Sequence, residues 1–284
     1  MSMFYQPLTV EEAITNLAKE NTMACAGGTN LYVDRKHGKF LDKDYVSLDK
    51  LQDLKQVIQK EDGWHIGSMV NFSCAENLAI PGADCFTMAA AQVGAPQIRN
   101  RGTVGGNIVS ASPAADSVPA LIALDATVVL KSVSGERIVA LSEFMKGPGR
   151  TDLRSGELMT EIIIPAKKGH SVFSKAGKRN ALAIAICNQA VYMETEQGKI
   201  KDIRVALGSV APTAVRAYHT EAMLRGTEAS ALDNTEFKVA LKEALLKDIC
   251  PIDDVRATKE YRQNVAFRML MHNLKQLWKE ESVC

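Results

Sequence analysis

The strongest constraint on this chain is the run Gln97-Ile98-Arg99-Asn100-Arg101-Gly102-Thr103-Val104-Gly105-Gly106-Asn107-Ile108-Val109-Ser110-Ala111-Ser112-Pro113-Ala114-Ala115-Asp116. It is basic, then glycine-rich, then dense in short hydroxyl and amide side chains, and it ends on one carboxylate. Adjacent glycines adopt dihedrals closed to other residues and let backbone approach a ligand closely. Successive free N–H groups in such a turn form a concave anion-binding nest. Thr103, Ser110 and Ser112 add hydroxyls, and Asp116 is placed to accept from a ligand hydroxyl or amine. This chemistry predicts a cradle for a phosphorylated cofactor.

A second segment points the same way. Met23-Ala24-Cys25-Ala26-Gly27-Gly28-Thr29-Asn30 is a small apolar run that stops at a glycine pair. It reads as a buried strand feeding a tight, N–H-rich turn. Neither run has the spacing of the dinucleotide fingerprint or of the nucleoside-triphosphate loop.

Together, about seventy residues apart, Ala26-Gly27-Gly28-Thr29 and the Arg99–Asn107 stretch resemble the FAD-binding medium subunit of the molybdenum hydroxylases. That family includes carbon monoxide, nicotinate and bacterial xanthine dehydrogenases, and the resemblance runs from about Phe4 to the last helix. It implies an FAD-binding domain of the vanillyl-alcohol-oxidase-like (PCMH) type over 1–168, made of two α/β subdomains. A C-terminal domain like that of the CO dehydrogenase flavoprotein would cover 169–284, as a three-stranded antiparallel sheet with helices.

Composition allows this. The chain has 284 residues, is 46% hydrophobic and carries a net charge of +1. The length accommodates two domains with a core each. The near-zero charge offers no electrostatic argument for nucleic acid, and the Arg99/Arg101 pair is too local to form such a surface. Six scattered cysteines have no C-x-x-C spacing, which argues against an iron–sulfur or zinc site in this chain. Cys25 and Cys187 lie in apolar runs and read as small core residues. The four-cysteine insertion of one subgroup of the family is not visible. The first residues resemble no secretory signal and no apolar run reaches membrane-spanning length, so a cytoplasmic location is expected. The five histidines are dispersed and suggest neither a triad nor a metal site.

Local patterns place the elements. Thr9-Val10-Glu11-Glu12 is a capping box opening a helix to about Lys19, with Ala13, Ile14 and Leu17 inward. Strands are expected near Met23–Ala26, Tyr45–Leu48 and His65–Gly67, and a second capping box at Ser73–Glu76. Gly82–Ala95 reads as a helix ended by Pro96. After the long glycine loop come a helix at Ser117–Ala123, a hairpin of Ala126–Lys131 with Arg137–Ala140, and a strand Glu161–Ile164 closed by Pro165. A boundary is expected near Pro165–His170. Strands follow at Ser171–Lys175, Ala181–Tyr192 and Ile200–Leu207, then helices at about Thr220–Leu224, Thr235–Leu246 and Lys259–Trp278. The class is α+β with mixed sheets.

The resemblance also assigns residues. FAD would lie between the two subdomains with its pyrophosphate wrapped by both runs. Ala24, Cys25, Ala26, Gly27, Gly28, Thr29, Asn30 and Leu31 would form one wall. Gly102, Thr103, Gly105, Gly106, Asn107 and Ser110 would form the other. Asp116, Met159 and Lys175 match further cofactor contacts. On their own residues, Asp116 reads equally as the N-cap of the next helix, Met159 as core, and Lys175 as a solvated strand-edge residue. Asn30 stands where many relatives are acidic, Tyr32 where a small aliphatic is usual, and Val93 where some carry an aromatic.

The function implied is electron transfer. A molybdenum-pterin large subunit would oxidise the substrate, and a small subunit with two [2Fe–2S] clusters would pass electrons to this FAD. NAD+ or another acceptor would take them, in a dimer of heterotrimers. The resemblance of the long run to bacterial xanthine and nicotinate dehydrogenases implies an N-heterocycle such as a purine or nicotinate as the substrate. No residue of this chain is expected to act as catalytic acid or base. Two other readings are a self-contained FAD oxidoreductase on the same fold, which would need its own substrate cap, and a flavin-free scaffold, which would have eroded glycine runs.

Overall fold

The computed structural model describes residues 2–179 and 182–281. Its first unit is a small parallel sheet. Strands β1 (Phe4–Tyr5) and β2 (Thr22–Cys25) both pair in parallel with β3 (Asp44–Ser47), which lies between them. Helix α1 (Val10–Leu17) connects β1 to β2, as parallel pairing requires a crossover. The Thr9 hydroxyl accepts from the Glu12 amide at 3.1 Å, as the capping box predicts. The return bond differs, because Glu12 Oε2 accepts from the Leu8 amide at 2.8 Å and not from Thr9. Val10, Ala13, Ile14 and Leu17 face inward onto Val46, Leu48, Leu51 and Leu54. The short helix α2 (Leu31–Lys36) follows β2 and buries none of its residues.

The second unit is a five-stranded antiparallel sheet of order β4-β5-β10-β6-β7, formed by Val57–Lys60, Gly63–Gly67, Leu158–Pro165, Thr127–Ser132 and Gly135–Ala140. Before β6 come α3 (Phe72–Ala75), α4 (Asp84–Ala91), α5 (Pro96–Arg99), α6 (Val104–Val109) and α7 (Ser117–Ala123). Between β7 and β10 lie α8 (Leu141–Phe144) and a two-stranded ladder, β8 (Met145–Gly147) with β9 (Arg150–Thr151). Helix α7 is buried at every position, which its sequence Ser-Val-Pro-Ala-Leu-Ile-Ala permits.

The third unit is an antiparallel sheet of β11 (His170–Ala176), β12 (Cys187–Glu196), β13 (Lys199–Gly208) and β14 (Val215–Arg216). Along β12 the side chains alternate. Val191 and Met193 pack under α9 (Tyr218–Leu224), α10 (Thr235–Asp248) and α11 (Lys259–Glu281), together with Leu241, Leu270 and Leu274. Ala190 and Tyr192 point the other way, into the core of the second unit beside Phe86 and Leu121. Covered on both faces, the strand reads as a continuous buried run.

Four local expectations change. The helix expected over Gly82–Ala95 stops at Ala91, and Pro96 begins α5 instead of ending α4, since a first-turn position needs no N–H. The cap of α3 is Asn71, whose side chain accepts from the Cys74 amide at 2.8 Å, not Ser73. The expected strand Ala181–Tyr192 begins only at Cys187, and Ala181 lies outside the described residues. The C-terminal sheet has a fourth strand because Val215 and Arg216 pair with Leu207 and Ala206.

Candidate cofactor site

The first run leaves β2 at the buried Cys25 and turns through Ala26, Gly27 and Gly28 into α2. Gly28 sits at φ +76°, a left-handed conformation that glycine tolerates without strain. Gly27 faces the second run. A Cβ there would fall 1.6 Å from the Arg101 carbonyl oxygen, so only glycine permits this approach. Ala26 sits over Gly106, and the Thr29 hydroxyl lies beside Gly102. The two runs, distant in sequence, are thus in contact. Among the described residues, the amides of Gly27, Gly28, Thr29 and Asn30 donate to no protein acceptor. Four adjacent free donors on a tight turn form the anion nest expected of this run.

The second run is built differently. Thr103 caps α6, accepting from the Gly106 amide at 3.0 Å, so Gly105 and Gly106 lie in a helical turn and not in a loop. Val104 donates to the Val70 carbonyl and Gly105 to that of Ser68, at 2.9 and 3.0 Å. Gly102 donates to Ile98 and Asn107 to Thr103. The expected nest of glycine amides is therefore absent from this run among the described residues, because docking onto residues 68–72 satisfies them. Gly105 is small because a Cβ would meet the Ser68 side chain at 2.7 Å. The Ser110 hydroxyl donates to the Gly106 carbonyl, and Asn107 Oδ1 accepts from Ser117. Among the described residues, the Thr103 backbone amide and the Asn107 side-chain Nδ2 donate to no protein acceptor.

Asp116 occupies the N-cap position of α7 but makes no capping bond with its side chain. Its Oδ2 instead accepts from Lys175 Nζ at 2.6 Å, and Oδ1 accepts from Asn188 Nδ2 at 2.9 Å. Lys175 also donates to the Gln92 carbonyl. Both charged side chains are buried, and the pair joins α7 to the C-terminal sheet. Burial pushes the Asp116 carboxyl above its usual range, and the Lys175 charge only partly opposes this. Lys175 is therefore not the solvated edge residue that its strand alone suggests. Met159, on β10 opposite Leu130, is 3% exposed and its side chain belongs to the core.

A cleft opens between the N-terminal units and the C-terminal sheet. One cavity of about 530 Å³ is lined by Asn107, Asp116, Pro113, Ile184, Ile252 and Arg262. An adjoining one of about 670 Å³ is lined by Arg99, Lys175 and Arg179 among others. The basic pair of the long run is split. Arg101 stands by the first turn, 3.5 Å from Asp49, while Arg99 turns to the cleft, with Nε 2.8 Å from Glu76 but off the line of a hydrogen bond. Sequence reasoning missed Asn188 and Arg262. Arg262 is 2% exposed and donates to the carbonyls of Ile186 and Ser209 and to Asp254. An arginine in a helix reads as solvated, and no local signal marks it otherwise.

Residues 1–167 match the model of the FAD-binding domain in molybdopterin dehydrogenases, and residues 172–277 that of the CO dehydrogenase flavoprotein C-terminal domain. This chain belongs to the FAD-binding subunits of the molybdenum hydroxylase family. The xanthine dehydrogenase FAD-binding subunit of Escherichia coli O157:H7 is 30% identical to this flavoprotein over 267 residues, 91% of this chain and 90% of the relative. The nicotinate dehydrogenase FAD-subunit of Eubacterium barkeri is 36% identical over 207 residues, 69% and 70% of the two chains. A chain of the carbon monoxide dehydrogenase of Hydrogenophaga pseudoflava superposes with a TM-score of 0.88, covering 98% of this chain and 97% of that one at 28% identity. As a flavoprotein of this family the chain takes FAD, and its first turn fits a pyrophosphate: the free amides are present, and the seam between Gly27 and Arg101 admits no side chain. None of the described helices is long and apolar enough to cross a membrane.

Proposed function

We propose that this subunit carries electrons through FAD from the [2Fe–2S] clusters of a small partner subunit to NAD+ or another acceptor. A molybdenum-bearing large subunit would oxidise an N-heterocycle of the purine or nicotinate kind. The observation that carries the reading is the turn Gly27–Asn30, whose four unengaged amides lie in contact with the second glycine run. Residues 1–168 act as the FAD-binding domain and 169–284 as the C-terminal domain. The assembly is a cytoplasmic dimer of heterotrimers.

When bound, FAD exchanges electrons singly or in pairs, which links iron–sulfur centres to two-electron acceptors. The rest is positioning by this chain. Ala24 to Leu31 hold the pyrophosphate from one side, with charge-assisted bonds from the Gly27, Gly28, Thr29 and Asn30 amides. Gly102, Thr103, Gly105, Gly106, Asn107 and Ser110 hold the other wall, with donors from the Thr103 and Asn107 amides. The remaining polar groups of that wall keep its shape. Asp116 and Lys175 fix the width of the cleft through their ion pair. Met159 supports it from the core.

The test is the visible spectrum of the purified chain, with the released cofactor identified by chromatography. Stoichiometric FAD is the expected result. FMN, or a colourless protein that also fails reconstitution with FAD, overturns the reading.

A further inference from the structure

Helix α2 buries no residue, yet its Tyr32 side chain packs on the first turn. The Tyr32 ring lies on Gly28, so close that a Cβ on that glycine would fall 2.5 Å from Cε2 and 2.7 Å from Cδ2. The Tyr32 amide donates to the Gly28 carbonyl at 3.0 Å, which fixes the ring's root on the same turn. Tyr32 is nevertheless 62% exposed. Among the described residues, no protein group bonds its hydroxyl. A phenol carries one O–H donor, so this hydroxyl is a further donor beside the four free amides. The nearest carboxylate on α2 does not compete for it. Asp34 accepts from Asn30 Nδ2 at 2.9 Å and from Lys39 Nζ at 2.8 Å.

We propose that Tyr32 is a binding residue for the pyrophosphate of the dinucleotide, donating its hydroxyl to a phosphate oxygen while its ring closes one side of the Gly27–Asn30 turn to water. This rests on the FAD reading above. Full-length chain stripped of flavin is titrated with FAD and, separately, with ADP, which carries the pyrophosphate without the flavin. Tyr32→Phe removes only the hydroxyl and Tyr32→Leu removes the ring as well. The expected result is a Kd raised roughly fivefold by Tyr32→Phe for both ligands, the loss of one hydrogen bond to a charged group at a partly exposed site. Tyr32→Leu weakens binding further. The Tm of the ligand-free chain stays the same in Tyr32→Phe while its rise on FAD addition shrinks, a split that a purely structural role would not produce. A Tyr32→Phe variant that binds FAD and ADP as tightly as the wild type overturns the inference and leaves the FAD reading standing. A wild-type chain that takes no FAD overturns both.

Discussion

The two glycine runs are close in composition and opposite in use. The first leaves its amides free and gives up its side chains. The second engages nearly all of its amides within the protein and ends in a carboxylate that grips another part of the chain. The difference follows from what each run is docked on. The first hangs from the end of a parallel strand with only α2 beyond it, so nothing competes for its donors. The second lies across residues 68–72, whose carbonyls take the Val104 and Gly105 amides. One run therefore keeps its donors free and the other is mainly a packed wall against it.

The division can be broken by substitution. Gly27→Val should have the largest effect, because no shift of a side chain relieves a clash with the Arg101 carbonyl. Roughly a thousandfold loss of FAD affinity, about 4 kcal/mol, is expected, with the C-terminal sheet still folded by hydrogen exchange. Retention of FAD after gel filtration would show that the runs need not touch. Lys175→Met leaves Asp116 buried without its cation and should lower unfolding free energy by about 3 kcal/mol in urea titrations. A loss below a tenth of that would mean the pair contributes nothing across the cleft. Gly105→Ala places a methyl against Ser68 and should destabilise by about 2 kcal/mol, with a smaller change in FAD affinity than Gly27→Val. Equal effects on affinity from both would erase the distinction between surface and wall.

The smallest effect sharpens the role of Asp116. Its folded-state pKa is raised, so the folded chain holds that proton to higher pH than the unfolded chain does. Its contribution to stability is fully present below the ordinary carboxylate value and declines as pH rises through the raised one. The deficit of Asp116→Asn should therefore be larger near about pH 4 than at neutrality, by less than about 1 kcal/mol. A deficit that grows with pH would mean that attraction to Lys175 outweighs the cost of burial.

Much of this architecture was legible in the residues. The periodic helices α1, α10 and α11, the hairpin β6–β7 and the long strand β13 follow from apolar spacing and turn residues, whereas only the apolar half of β12 does. Helix α6 did not, because two glycines in one short helix each cost about 1 kcal/mol relative to alanine, and only docking on Ser68 and Val70 overrides that. Pro96 has the same composition signal whether it ends a helix or starts one. At the candidate site, the first turn was readable because its left-handed glycine and free amides are features of local backbone. The Asp116–Lys175–Asn188 network joins residues far apart in the chain, and no pattern in either neighbourhood encodes the other.

The C-terminal sheet lends one face to α4 and α7, and this has a consequence during synthesis. Until β11 to β13 emerge, the newly made N-terminal part carries an apolar surface with no cover. At about 5–20 residues per second, the stretch from 169 to 208 takes the ribosome roughly two to eight seconds. For that interval the nascent subunit is a sticky intermediate, and a pause within those codons would lengthen its exposure to aggregation.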